Sequence, residues 1–71
     1  MAKEISLDNG ITYMAATEAM DEINARNLWD VVVQMMDDAT RELVHGELAP
    51  CTDAEFLERY LEIAPEDLII G

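Results

Sequence analysis

The sequence predicts an α+β fold of ββαααβ order: an N-terminal β-hairpin, three helices, and a short C-terminal strand that joins the sheet. Three observations carry this expectation. Asn9-Gly10 lies between two stretches of alternating apolar residues, Thr52-Asp53-Ala54-Glu55 has the form of a helix-opening capping box, and Leu68-Ile69-Ile70 is an apolar run near the carboxy terminus.

The hairpin spans Glu4 to Met14. Ile5 and Leu7 alternate with polar residues, as do Ile11 and Tyr13, and Asn-Gly supplies the positive φ angles of a two-residue type I′ turn. An isolated hairpin is marginal in water, so its apolar face needs cover. The first helix, Thr17 to Ala25, has Thr17 as N-cap, acidic Glu18 in its first turn, and Met20 and Ile23 facing inward.

A longer helical pattern runs from Leu28 to His45, with Leu28, Val31, Val32, Met35, Met36, Ala39, Leu43 and Val44 recurring at three- and four-residue steps. Asn27 is placed to cap its start and Gly46 its end. We read one helix throughout, kinked near Asp37. Two features keep an alternative open: Val31-Val32-Val33 also suits a strand, and Asp37-Asp38 can cap a second helix after a break.

Leu48 to Cys51 reads as a linker fixed by Pro50. In the capping box that follows, the Thr52 hydroxyl and the Glu55 carboxylate each satisfy a backbone N–H at the start of a helix running to about Ile63. Phe56, Leu57, Tyr60, Leu61 and Ala64 form its inner stripe, Glu55, Glu58, Arg59 and Glu62 point outward, and Pro65 stops it. Leu68 to Ile70 suits a short buried strand, pairing with the hairpin in a small mixed or antiparallel sheet.

The chain has 71 residues, and a domain of that size buries only about 60% of the surface its unfolded chain exposes. This implies a single domain, 1–71, with one core. Sixteen Asp and Glu stand against four Lys and Arg, for a formal net charge of −12 with His neutral. A phosphate backbone or anionic membrane meets unfavourable potential over such a surface, which argues against direct nucleic-acid or membrane binding and for a basic partner.

No apolar run approaches the roughly 20 residues that cross a bilayer, and Met1 to Asn9 lacks a basic head followed by an apolar segment. A lone Cys51 cannot form an internal disulfide, which fits a reducing cytoplasm. We therefore expect a cytoplasmic protein.

Three kinds of chemistry are open to these residue types. His45 and Cys51 are the one nucleophile–base pair available; their spacing points to no third orienting group, and a helix-end His with a small packed Cys explains both. The acidic pairs Asp21-Glu22, Asp37-Asp38 and Glu58/Glu62 lack the alternation and glycine of a calcium loop, and zinc needs more than one His and one Cys. Acid–base catalysis would need a carboxylate in an apolar cleft, for which so short a chain leaves little room once its core is filled. No catalytic, cofactor-binding or metal residue is assigned, and no enzyme activity is expected.

Most of Trp29, Met14, Met20, Met35 and Met36 read as core, with Val33 and the second of Met35 and Met36 left outward as an apolar patch for a partner or a second copy of the chain. The candidate partner-binding residues are the carboxylates directed away from the core: Glu18, Asp21, Glu22, Asp30, Asp37, Asp38, Glu42, Glu55, Glu58 and Glu62. Regularly spaced negative charge on a rigid scaffold imitates a phosphate backbone, so occupying the basic groove of a nucleic-acid-binding protein is the specific hypothesis. Solubility alone is the plain explanation. A homodimer built through the long helix, or a small metal-binding protein, is the alternative.

The stretch from Thr40-Arg41-Glu42 through Ala49-Pro50-Cys51-Thr52 to Phe56-Leu57-Glu58-Arg59-Tyr60-Leu61 resembles that of short, uncharacterised acidic proteins encoded near bacterial mobile genetic elements. The resemblance covers about half of the chain. It implies a bacterial cytoplasmic setting and an accessory role in element maintenance or host-defence evasion, and carries over no functional residue.

Overall fold

The computed structural model describes residues 2–48 and 51–71. In chain order these form β1 (Ile5–Ser6), α1 (Ala16–Arg26), α2 (Trp29–Met35), α3 (Asp38–Leu48), α4 (Asp53–Ile63) and β2 (Leu68–Ile69). The α+β class holds, but among the described residues there are four helices rather than three, and a two-stranded parallel sheet replaces the hairpin with its added strand.

The turn of the expected hairpin is present while its strands are not. Asn9 and Gly10 both have positive φ, 60° and 88°, and the Ile11 N–H reaches back to the Asp8 carbonyl at 3.4 Å. Local side chains then take over the backbone. The Ser6 hydroxyl accepts the Gly10 N–H at 2.8 Å, and the Asp8 carboxylate accepts both the Ser6 hydroxyl and the Thr12 N–H at 2.8 Å. These bonds hold the loop closed, so Ile11 is 83% exposed and only Ile5 and Met14 meet as an antiparallel bridge.

The other side of β1 receives β2. Leu68 N–H donates to the Glu4 carbonyl at 3.0 Å and Ile70 N–H to the Ser6 carbonyl at 2.8 Å, pairing Ile5 with Leu68 and Ser6 with Ile69 in parallel register. A carboxy-terminal strand was expected from its apolar residues; it pairs with β1 directly and in parallel, where a mixed or antiparallel sheet with the hairpin was expected.

α1 starts at Ala16, with Ala15 as a cap that contributes no side-chain bond, so Thr17 lies inside the first turn instead of capping it. Asn27 ends α1 instead of beginning the next helix: at φ 53° it is left-handed, and its N–H bonds back to the Asn24 and Ile23 carbonyls.

The long helix of the sequence reading is two helices. Met36 leaves helical geometry at ψ 148°, and the Asp37 carboxylate accepts the Thr40 N–H at 3.0 Å, capping α3. The two helices have separate apolar faces: Met36, at the break, is buried where it was expected outward, whereas Val31 and Met35 (54% exposed) on α2 and Ala39 and Leu43 (60%) on α3 face solvent instead of the core. Gly46 does not end α3, which continues to Leu48. Of the expected linker, Ala49 and Pro50 lie outside the described residues.

α4 organises the rest. Both arms of the capping box form, with the Thr52 hydroxyl accepting the Glu55 N–H at 3.2 Å and Glu55 accepting the Thr52 N–H at 3.3 Å. Leu57, Tyr60, Leu61 and Ala64 are buried as the stripe requires, and α4 packs against both α1 and α3. Ile5, Ile23, Val32, Val44, Leu57 and Leu61 are the large apolar side chains almost wholly removed from water.

Candidate functional site

All ten candidate carboxylates are exposed. Their surroundings differ by helix. On α1, Glu18, Asp21 and Glu22 stand at i, i+3 and i+4 and therefore share one face, an arrangement of like charges that costs an isolated helix a few tenths of a kcal/mol. None of the three is ion-paired among the described residues, and Asp30 stands alone in the first turn of α2.

α3 and α4 are partly neutralised. Asp38 pairs with Arg41 at 3.0 Å, and Arg59 bridges Glu47 at 2.7 Å and Glu62 at 3.3 Å. The Glu47 carboxylate, first by its hydrogen bond and then by its charge, pushes the Arg59 pKa up. Glu55, Glu58 and Glu62 line a shallow depression with Arg59 and Leu48. Of the ten candidates, two (Asp38 and Glu62) are therefore ion-paired among the described residues and eight are not.

Asp37 is placed at the α2–α3 break. Its backbone N–H donates to the Tyr60 hydroxyl at 2.8 Å, and its carboxylate accepts both the N–H and the hydroxyl of Thr40. The Thr40 N–H and then its hydroxyl hold the Asp37 carboxyl below the usual aspartate range. Burial pushes the Tyr60 phenol up. Around the same junction the fold gathers Glu66 and Asp67, two acids the sequence reading did not single out.

A second feature was not foreseen. Between α2, α3 and the start of α4 lies an open groove of about 460 Å³, where a chain this short was expected to leave little room for a cleft. Trp29, Val33 and Phe56 form its apolar part, the two rings meeting edge to face with centroids 6.3 Å apart. Both rings are only half-buried, although each was read as core.

Glu42 and Asp53 bring carboxylates to this groove, and His45 and Cys51 open onto it, so the fold does bring that pair to one cleft. Both are exposed, and no hydrogen bond joins them among the described residues. Arg41 also lines the groove, but its guanidinium is engaged, Nη1 with the Val33 carbonyl at 3.2 Å and Nη2 with Asp38. The described residues hold no cluster of three or more His, Cys, Asp or Glu able to bind a metal ion, and no helix long and apolar enough to cross a membrane.

The sequence signal for the groove was an aromatic at each of two helix starts, Trp29 on α2 and Phe56 in the first turn of α4. Their meeting across 27 positions is tertiary information. A family model described as Anti-CRISPR protein AcrIC5 matches residues 23–63, more than half of the chain and all of the groove's lining. No curated protein and no solved structure gives a significant match.

Proposed function

The chain belongs to the anti-CRISPR protein AcrIC5 family, and we propose that it is a non-enzymatic inhibitor that covers a basic, nucleic-acid-binding surface of a CRISPR effector. The observation that supports this reading is the set of eight exposed carboxylates without an ion-pair partner among the described residues: Glu18, Asp21, Glu22, Asp30, Asp37, Glu42, Glu55 and Glu58. CRISPR effectors hold their nucleic acids in positively charged channels through backbone contacts. A rigid, anionic helical surface is complementary to such a channel and is steered to it by long-range attraction.

The family also sharpens the mobile-element resemblance, since evading host defence is what an anti-CRISPR protein does. The homodimer alternative loses its single long helix, because Val31 and Met35 belong to α2 and Leu43 to α3. Sedimentation at high protein concentration is expected to give a monomer.

The test is competition for target DNA by a purified CRISPR effector of the kind the family opposes, followed by gel shift. The chain is expected to block DNA binding at low salt and to lose potency as salt screens exposed charge. A variant carrying Glu18→Gln, Asp21→Asn, Glu22→Gln and Asp30→Asn is expected to inhibit much more weakly. Equal inhibition by that variant, or binding of the chain without displacement of DNA, defeats the proposal.

A further inference from the structure

We propose that the groove between α2, α3 and the start of α4 receives one arginine side chain of a basic partner protein, its guanidinium against the Trp29 and Phe56 rings and its charge facing Glu42 and Asp53. The inference rests on the acidic-surface reading and deepens it, from a diffuse field to a defined contact.

Four observations point to this occupant. Trp29 and Phe56 stand almost perpendicular, at 88°, and remain half-buried, packed against the core while also lining the groove as an apolar corner. Tyr60, on the same helix as Phe56, shows the contrast: it is 3% exposed. A planar cation stacks on such rings, and tryptophan is the strongest acceptor of the contact.

The charge of the groove selects a cation. Glu42 and Asp53 have no ion-pair partner among the described residues, whereas the opposing charge, Arg41, is already bonded to Asp38 and to the end of α2. The size also fits: about 460 Å³ is within the range of sites that enclose a small ligand.

Arginine suits the site better than lysine, because its flat, weakly hydrated guanidinium can stack on a ring and pair with a carboxylate at once. An aliphatic side chain would desolvate the rim carboxylates without pairing them, and a phosphate would be repelled.

The test uses a blocked tetra-arginine peptide, its neutral tetra-citrulline counterpart and a tetra-lysine peptide, each titrated into the intact chain. Trp29 is the sole tryptophan, so its fluorescence reports the groove, and amide chemical shifts report every face. The arginine peptide is expected to change Trp29 emission saturably and to bind about tenfold more tightly than citrulline, with lysine between them. Phe56→Leu or Glu42→Gln, each verified as folded by circular dichroism, is expected to weaken arginine binding by roughly three- to tenfold. Glu18→Gln with Glu22→Gln on α1 is expected to leave the Trp29 response in place.

Citrulline binding as well as arginine overturns the inference. So does arginine binding that moves only α1 resonances and ignores the groove substitutions, an outcome that leaves the acidic-surface reading standing. Absence of binding by any of the basic peptides at low salt removes both.

Discussion

The exposed face of α1 and the groove of α2, α3 and α4 carry the same sign of charge and are built for different contacts. α1, which contains no aromatic residue, presents Glu18, Asp21 and Glu22 with no ion-pair partner among the described residues. Its influence is a field, felt at a distance and screened beyond about 10 Å at 0.1 M salt. In the groove the one arginine, Arg41, already holds Asp38, and half-buried aromatic surface lies beside Glu42 and Asp53. That side favours contact over attraction from afar, so the two faces should respond differently to salt and to substitution.

The comparison assumes one shared support, and the largest effect tests it. α4 packs on both α1 and α3, and Leu57 at its centre is wholly buried. Leu57→Ala is expected to cost about 2–5 kcal/mol, most of the stability of so small a domain. A thermal melt by circular dichroism should show both faces lost together; separate transitions would mean that they fold independently.

The next effect divides the faces. Tyr60→Phe removes the hydroxyl that accepts the Asp37 N–H at the α2–α3 break, a loss of about 1 kcal/mol. Hydrogen exchange should accelerate at Asp37 and its neighbours while the α1 amides keep their protection. A smaller change has the opposite sign. Gly46 is exposed within α3, and nothing lies within 4 Å of where a Cβ would stand, so Gly46→Ala should stabilise the chain by about 0.5–1 kcal/mol, seen as a higher denaturation midpoint.

What could be read from the sequence was local. The capping box of Thr52 and Glu55 closes within three residues, and the stripe Leu57, Tyr60, Leu61 and Ala64 needs only helical periodicity, so both were legible. The positive φ angles of Asn9 and Gly10 were legible for the same reason. The strands around them were not, because the partner of β1 arrives some sixty positions later as Leu68 and Ile69, and because the Ser6 and Asp8 side chains compete for the loop's N–H groups. Apolar spacing continued through the α2–α3 break and hid it; the capping aspartate was visible but does not by itself outweigh a periodic run. At the site, exposure of the carboxylates followed from helical faces. The pairs Arg41–Asp38 and Arg59–Glu62 are three residues apart on one helix and so were local too, whereas Arg59 meeting Glu47 and Trp29 meeting Phe56 depend on how the helices cross.

The smallest predicted effect lies in acid. Asp37 caps α3 at the α2–α3 break and Asp8 closes the β1 loop; hydrogen bonds, from the Thr40 N–H first and from the Thr12 N–H first, hold both carboxyls below the ordinary aspartate value of 3.8. A carboxyl whose folded pKa is lowered stabilises the fold above its unfolded pKa, and that contribution disappears as pH falls through the folded value. The window is therefore the acid side of 3.8, and the stability of the native chain should decline there more steeply than that of Asp37→Asn or Asp8→Asn. Each variant must be compared with the parent at the same pH, because protonating the remaining carboxylates relieves the repulsion of a −12 chain in all of them alike. In melts monitored by Trp29 fluorescence together with circular dichroism, Asp37→Asn should alter the acid response of both signals, since the cap it weakens begins a wall of the groove. Asp8→Asn should act chiefly on the circular dichroism. Parallel pH curves for parent and Asp37→Asn would show that the bonds to Thr40 do not favour the ionised carboxylate, and would detach the α2–α3 junction from the electrostatics assigned to it.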